Sequence, residues 1–509
     1  MELLNSLKNY KKSYIISDLL SGLLVAIIAM PLSIALGLQS VPGSSGIQMG
    51  IITAIIAGFI VSVFGGSRFQ IGGPTAAFVT IIFGYISNES IGLIGLQIAT
   101  IFAGVILIVL GLLKCGNLVK FIPYPIIVGF TTGIGITLLF GQLKDLCGFT
   151  GGGTHFLDKI IGYVSTISSF NLATFILGAL TLVSIYAIQK INKKLPSAFI
   201  SIILFTLVNI LIKGESLGVE TIGSKYGDIS ASINFINFSG IENLNFLNII
   251  VPTIVIAFLG GLESLLSATV ADGMTKLKSN YNQELVGQGL GNIGSILLGG
   301  LPATGAIART SANINSGAKS SLAGAFHAIF LLIMYFALMG VIKFIPLCAL
   351  SAVLINVSIN ICNPKLFARL TVFGKRDSIV LYVTMLLTVF FDLTYGVLGG
   401  FLVAILINVK NLKLGIKTVR NVENSNLNVE VYGSLYFFSV NKLVNEIKSS
   451  LSGVNKVVIN AQNVKNIDLT AIQKLTSTFG ELTSQGVELD IINASEGVKN
   501  RLDKYFLKV

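Results

Sequence analysis

Long apolar runs, separated by short polar stretches, fill about four-fifths of this chain. Uncharged segments cover Leu19–Ser67, Ser90–Leu113, Phe121–Leu143, Ile160–Gln189, Pro196–Ile212, Asn243–Leu262, Leu285–Ala308, Ser320–Ile342, Phe344–Pro364, Ser378–Phe391 and Leu393–Val409. A helix needs about 20 residues to cross a bilayer, so the longest run holds at least two, and the set predicts about fourteen spans or half-spans. The texture changes after Val409. Short β-rich runs such as NVEVYGSLYFFS, KVVINAQNV and VELDIINAS alternate with helical periods such as VNKLVNEIKSSL and IDLTAIQKLTSTFGELTSQG. The expected organisation is an all-α polytopic membrane domain over 1–412, a polar linker over 413–427 and a small cytoplasmic α/β domain over 428–509.

The membrane part carries a weak internal repeat. AGFIVSVFGG (57–66) resembles GNIGSILLGG (291–300), and a Pro-Thr element follows each one, GGPTAAF (72–78) and GLPATGAIA (300–308). Halves over about 15–212 and 245–412, with seven spans each, would have inverted topology, an arrangement that transporters use.

Composition agrees with the pattern. The chain is 53% hydrophobic and only 11% charged, against about 25% charged in soluble domains. Its formal net charge of +12 does not form a nucleic-acid-binding patch. With a cytoplasmic N-terminus, most of the basic residues fall inside (Lys8, Lys11, Lys12, Arg68, Lys114, Lys190, Lys276, Lys319, Lys375 and Arg376 among them), and Lys144, Lys159, Lys213, Lys225 and Lys343 fall outside. This is the positive-inside asymmetry, and it predicts a multi-pass protein of the cell membrane with both termini cytoplasmic. No cleavable signal is evident in MELLNSLKNYKKS. Cys115, Cys147, Cys348 and Cys362 lack metal spacing, and His155 and His327 read as structural, so no metal site is expected.

Two isolated charges carry the chemistry. Glu263 is the one charged residue between Asn243 and Ala271, and Arg309 the one between Leu285 and Ala318. A charge at membrane depth costs about 2.5–3.5 kcal/mol on insertion scales, so it marks a cavity or a partner. A Glu–Arg ion pair between two helices is the plain alternative to a functional site. Gly and Pro punctuate both places where a helix would begin in mid-membrane. Two such half-helices would point free N–H groups and positive dipole ends at one point, an anion site. Pro74 suits a first helical turn, and Thr75 adds a hydroxyl. Pro302, Ala303 and Thr304 precede an expected helix Ala306–Asn315 bearing Arg309. Ser267 shares a helix face with Glu263, and Gly260 and Gly261 would admit a close neighbour. Asp18, Asp272, Asp377 and Asp392 read as span-edge residues. INSGAKSS lacks the phosphate-binding-loop spacing, which argues against ATP-driven transport by this chain.

These residues resemble the SulP family of anion transporters. The matching stretches include DLLSGLLVAIIAMPLSIALG (18–37), IIAGFIVSVFGGSRFQIGGPTAAFV (55–79), FLGGLESLLSATVADGMT (258–275) and ELVGQGLGNIGSILLGGLPATGAIARTSANINSGAKSSLAG (284–324), and the tail resembles a STAS domain. The resemblance implies a seven-plus-seven inverted-repeat fold shared with uracil and purine permeases, a core moving against a gate, and a homodimer. It places an anion such as sulfate or bicarbonate at Thr75, Ala76, Ala306, Ile307 and Arg309. It makes Glu263 and Ser267 the coupling-ion residues. Sodium-coupled relatives tend to have Asp and Thr there and no Arg in the tenth span, so Glu263, Ser267 and Arg309 favour H+ over Na+. The expectation is a secondary active transporter, not an enzyme, with no cofactor and an unidentified cytoplasmic partner for the STAS domain. A passive anion channel, exchanger or sensor, and a nucleobase:proton symporter on the same fold, are the alternatives. Asp468 is followed by Leu469 and then Thr470, whereas phosphorylatable STAS domains have Ser directly after the Asp.

Overall fold

The computed structural model describes residues 2–506 apart from positions 9, 118–121, 154, 193–194, 238, 240, 276, 372, 392, 413–415, 424, 452 and 485. Lys276 and Asp392 lie outside the described residues, as does the start of the expected linker. The described chain divides into two compact units, one comprising 1–119 and 134–361, the other 120–133 and 362–509.

Helices α1 (Glu2–Lys8), α2 (Tyr14–Ser40) and α3 (Ser44–Phe64) lead into a two-residue strand β1 (Gly72–Gly73) and a short helix α4 (Ala76–Ile86). Then follow α5 (Gly92–Leu112), α6 (Tyr124–Cys147), α7 (Phe156–Ser165), α8 (Leu172–Ile191), α9 (Ser197–Leu211) and α10 (Ile222–Tyr226). The second half repeats the order: α11 (Phe246–Thr275), α12 (Tyr281–Leu297), strand β2 (Thr304–Gly305), α13 (Ile307–Asn315), α14 (Leu322–Ile342), α15 (Leu347–Cys362), α16 (Pro364–Thr371), α17 (Lys375–Phe390) and α18 (Leu393–Leu412). Setting aside α1, α7, α10 and α16, each half contributes seven helices, and each half breaks at a strand followed by a short helix. The expected long run Leu19–Ser67 holds α2 and α3. Among the described residues, eight helical stretches are long and apolar enough to cross a bilayer. By contrast, α4 and α13, with 11 and 9 residues, reach only about 17 and 14 Å at 1.5 Å per residue, roughly half a hydrocarbon core.

In the first unit, α12 packs on α3 and α5, α14 on α2 and α3, and α11 on α5 and α13. At the α5–α12 crossing glycine meets backbone from both sides. A Cβ at Gly289 would stand 2.4 Å from the Gly104 carbonyl oxygen, and one at Gly104 would stand 2.7 Å from that of Gly289. The sequence pointed to Gly260 and Gly261 for such an approach: the neighbours of Gly260 lie at ordinary distances of 3.7–3.9 Å, whereas a Cβ at Gly261 would stand 3.0 Å from Leu107 Cδ2 of α5. The α5–α12 crossing carries the closer, backbone-to-backbone approach.

The second unit holds the small α/β domain. Strands β3 (Ile416–Glu423), β4 (Asn426–Leu435), β5 (Lys456–Asn460) and β7 (Glu488–Ile492) form the sheet in the order β3-β4-β5-β7, and β6 (Val464–Ile467) pairs with β4. Only β3–β4 is antiparallel. Alternating burial in β4 and β5 turns Val429, Val431, Val457 and Ile459 toward Leu443 and Ile447 of α19 (Val440–Ser449) and Ile472 and Leu475 of α20 (Leu469–Ser484), with α21 (Glu496–Phe506) completing the domain. The sheet begins at Ile416, inside the segment expected as a linker. Its β-branched IKTVRNVE pairs with β4 over eight residues, a non-local partnership that its polar composition hides.

Candidate anion site

The two breaks meet. Strand β1 pairs antiparallel with β2, Gly72 opposite Gly305 and Gly73 opposite Thr304, and all four residues are buried. The Ala306 N–H donates to the Ile71 carbonyl (2.9 Å), extending the ladder. Short helices then leave from both strands. Thr75 caps α4 in an extended conformation and Ala306 caps α13, and neither makes a side-chain cap bond. The N–H groups of Ala76, Ala77, Ile307 and Ala308 have no backbone acceptor among the described residues. Two uncapped helix ends in the interior leave orphan donors and positive dipole ends for an anion. Thr75, Ala76 and Ala306 are buried, and Ile307 is partly exposed. Pro74 stands one residue ahead of the cap instead of inside the first turn, because Thr75 keeps β-region torsions. Its free carbonyl serves Arg309.

Glu263, midway along α11, lies between the two breaks. Its Oε2 accepts hydrogen bonds from Thr75 Oγ1 (3.0 Å) and Thr304 Oγ1 (2.9 Å). One carboxylate thus holds a hydroxyl from each half of the chain, and Glu263 keeps part of its surface accessible. Ser267, expected beside it, is fully buried and donates to Thr310 Oγ1 (3.2 Å), which accepts the Ile71 N–H. Ser267 therefore ties α11 to α13. Thr304, read from sequence only as preceding the second short helix, is the second hydroxyl on the carboxylate.

Arg309 is 2% exposed. Its Nη2 donates to the Pro74 carbonyl (3.2 Å) and Ser33 Oγ (3.4 Å), and its Nη1 has no partner. Among the described residues Arg309 and Glu263 form no ion pair, so the two isolated charges are held separately. The guanidinium fits because residue 73 is glycine. A Cβ there would lie 2.1 Å from Nη1, and φ is +155°, close to the edge of the region only glycine adopts freely. An orphaned N–H on a buried guanidinium leaves a donor to be satisfied by something absent from the protein chain.

A polar ladder on α12 supports this core. Glu284, Gln288, Asn292 and Ser295 are each 0% exposed. Glu284 accepts from the N–H groups of Gly66 (2.8 Å) and Ser67 (2.9 Å) and from Gln70 Nε2 (2.7 Å), and Gln70 Nε2 also reaches the Ser264 carbonyl (3.1 Å). Gln288 and Asn292 both donate to the Ala303 carbonyl, Asn292 accepts the Ala303 N–H, and Ser295 donates to the Leu301 carbonyl. Ser264 accepts the Gly305 N–H and donates to Gln288. Residues 301–305 are thus fixed without regular secondary structure beyond β2. The four polar positions recur at helical spacing along the chain, and that period is the one local signal that could have found them. Asp18 and Asp272 secure loops: Asp18 accepts from the backbone of Lys319 and Ser320, and Asp272 from Ser279 and Tyr281.

Comparison with known proteins gives a consistent picture. Residues 15–384 match the sulfate permease family and residues 417–508 the STAS domain. A Bacillus subtilis (strain 168) protein named for sulfate transport, YvdB, is 33% identical over 98% of this chain and 95% of its own length. The bicarbonate transporter BicA of a Picosynechococcus species is 26% identical over 96% of this chain and 90% of its own. The solved transmembrane domain of a cyanobacterial BicA superposes with a TM-score of 0.67 at 27% identity, covering 78% of this chain and 98% of that one. SLC26A9 superposes with a TM-score of 0.71 at 18% identity, covering 98% and 88%, and shares the fold.

Proposed function

The chain belongs to the sulfate permease family, and on that premise we propose that it is a secondary active transporter of a small inorganic anion, sulfate or bicarbonate, driven by H+ through Glu263. One observation carries the reading. The carboxylate accepts hydrogen bonds from the hydroxyls of Thr75 and Thr304, which stand at the two helix breaks. With Glu263 ionised, both hydroxyl protons point at it and its negative charge opposes an incoming anion. With Glu263 protonated, the charge is gone and the hydroxyls can turn their protons to the anion. Proton and anion then bind together, the requirement for symport. The first-turn N–H groups of Ala76 and Ile307 complete the anion shell, and Arg309 supplies a fixed positive charge.

The engagement of Ser267 with Thr310 favours H+ over Na+. It leaves Glu263 two hydroxyl neighbours, few for a cation that takes several oxygen ligands. The working form is a homodimer in the cell membrane with both termini cytoplasmic. Uptake of radiolabelled sulfate and bicarbonate into proteoliposomes under imposed H+ or Na+ gradients tests the reading. Accumulation with an inward H+ gradient supports it. Indifference to both gradients would leave an exchanger or channel in its place.

A further inference from the structure

The second unit contains a cavity of about 330 Å³ whose lining includes none of the anion-site residues described above. Lys375, Arg376 and Arg501 line it. None of the three has a carboxylate within ion-pair distance among the described residues. Lys375 and Arg376 occupy the first turn of α17, behind an N-cap, Gly374, that offers no side chain. Cations in a first turn oppose the helix dipole, and Asp377 in the same turn offsets part of that cost. The two acids in the wall offset part of the positive charge, Asp377 acting on Arg501 and Arg376 and Asp468 on Arg501, but they are two against three cations. Asp468 accepts from the N–H groups of Phe437 (2.8 Å) and Ala471 (2.7 Å), and Asp377 from the Leu469 N–H.

Arg501 is held by a backbone carbonyl and only partly offset by Asp377 and Asp468, with no ion pair among the described residues. Its Nη1 donates to the Ile467 carbonyl (2.6 Å), while Nη2 lies beside Gly374, 3.6 Å from where a Cβ would stand. Thr470, also in the wall, accepts the Tyr124 N–H (2.9 Å) and so has its hydroxyl proton to give. The cavity therefore offers three cations against two carboxylates, a hydroxyl donor and a helix start without a side-chain cap, with Tyr436 in its wall. Arg and Lys in this density suit multivalent oxyanions, and the volume fits a small pocket ligand.

We propose that this cavity binds a tetrahedral oxyanion, either free or as the terminal group of a small phosphate ester. The inference is independent of the transport mechanism. It is tested by titrating the full-length protein in detergent with inorganic phosphate, sulfate and glycerol 3-phosphate at constant ionic strength. The same titrations are run on Arg309→Ala, on Arg501→Gln and on the double variant Lys375→Gln/Arg376→Gln. Lys375 and Arg376 are both exposed, so their loss spares the fold. Saturable binding that survives Arg309→Ala and weakens at least about tenfold in the double variant supports the site, a loss matching one charge-assisted hydrogen bond. Displacement of phosphate by the ester would identify an ester ligand, and binding of the inorganic ions alone would identify a free one. The proposal is overturned if no oxyanion binds below about 10 mM, where affinity falls under roughly 3 kcal/mol. It is equally overturned if binding is unchanged in the double variant, or is lost with Arg309→Ala alone.

Discussion

Replacing Glu263 by glutamine isolates the charge from the shape. The side chain keeps its length and an oxygen for the two threonine hydroxyls, but it can no longer ionise. An anion held by Thr75 would stand two hydrogen bonds from Glu263 Oε2, the observed 3.0 Å plus about 2.8 Å, hence about 5–6 Å away. Two unit charges at that separation repel by about 3 kcal/mol at an effective dielectric constant of about 20, roughly a hundredfold in affinity, and by more for a dianion. Wild-type sulfate affinity is therefore expected to rise by about two orders of magnitude as Glu263 takes up its proton. In Glu263→Gln, affinity should sit near that acid limit at every pH. Accumulation driven by a pH gradient should vanish, while exchange of labelled for unlabelled sulfate persists. Equilibrium binding across pH, paired with proteoliposome uptake, reads both quantities. A wild type whose sulfate affinity is flat with pH, or a glutamine variant that still concentrates sulfate against its gradient, would refute the coupling.

Arg309→Ala should weaken every transported anion by about tenfold or more, since it removes a buried guanidinium with an unsatisfied N–H; unaltered binding would take Arg309 out of the site. Glu284→Ala strips three buried hydrogen bonds and should lower the unfolding temperature of the detergent-solubilised protein by several degrees, about 3 kcal/mol or more; an unchanged transition would show the ladder to be dispensable. In the small domain, burial, then the nearby Asp377, pushes Asp468 up to about 8. A carboxyl raised in the folded state stabilises most below its unfolded value of about 4 and loses that contribution as pH rises through about 8. Hydrogen-exchange protection of the β4 and β5 amides, corrected for intrinsic rates, should fall across that window in the full-length protein and stay flat in Asp468→Asn.

Much of this was readable from residue order. Isolated charges in apolar runs are conspicuous, and Glu263 and Arg309 both fall at the helix breaks that Gly and Pro announce. The starts of α4 and α13 came within a residue of expectation, since Thr75 and Ala306 are the caps. The partners were harder to see. The pairing of Gly72 with Gly305 joins residues more than two hundred positions apart, and no local period encodes it. Thr304 reads as loop until that strand turns its hydroxyl onto Glu263. Gln288 and Asn292 carry no charge and sit in a glycine-rich span, so they pass for packing residues until the irregular backbone at 301–305 requires donors. The alternative reading, a Glu263–Arg309 ion pair, is not found among the described residues, for a local reason: Gly73 opens a berth for the guanidinium beside Pro74 and Ser33, away from the carboxylate.

Gly73 and Thr304 pair with one another, and each stands two residues ahead of its helix cap, Thr75 or Ala306. A pseudo-two-fold axis relating the halves must therefore run between these two residues. The two positions are each other's counterparts across that axis, and here their side chains differ as far as two residues can: one is absent, the other a hydroxyl. The vacancy admits the arginine and the hydroxyl engages the glutamate. A duplicated backbone thereby acquires a cationic flank and an acidic flank, and an anion bound there as proposed would meet a polarised site that neither half possesses alone.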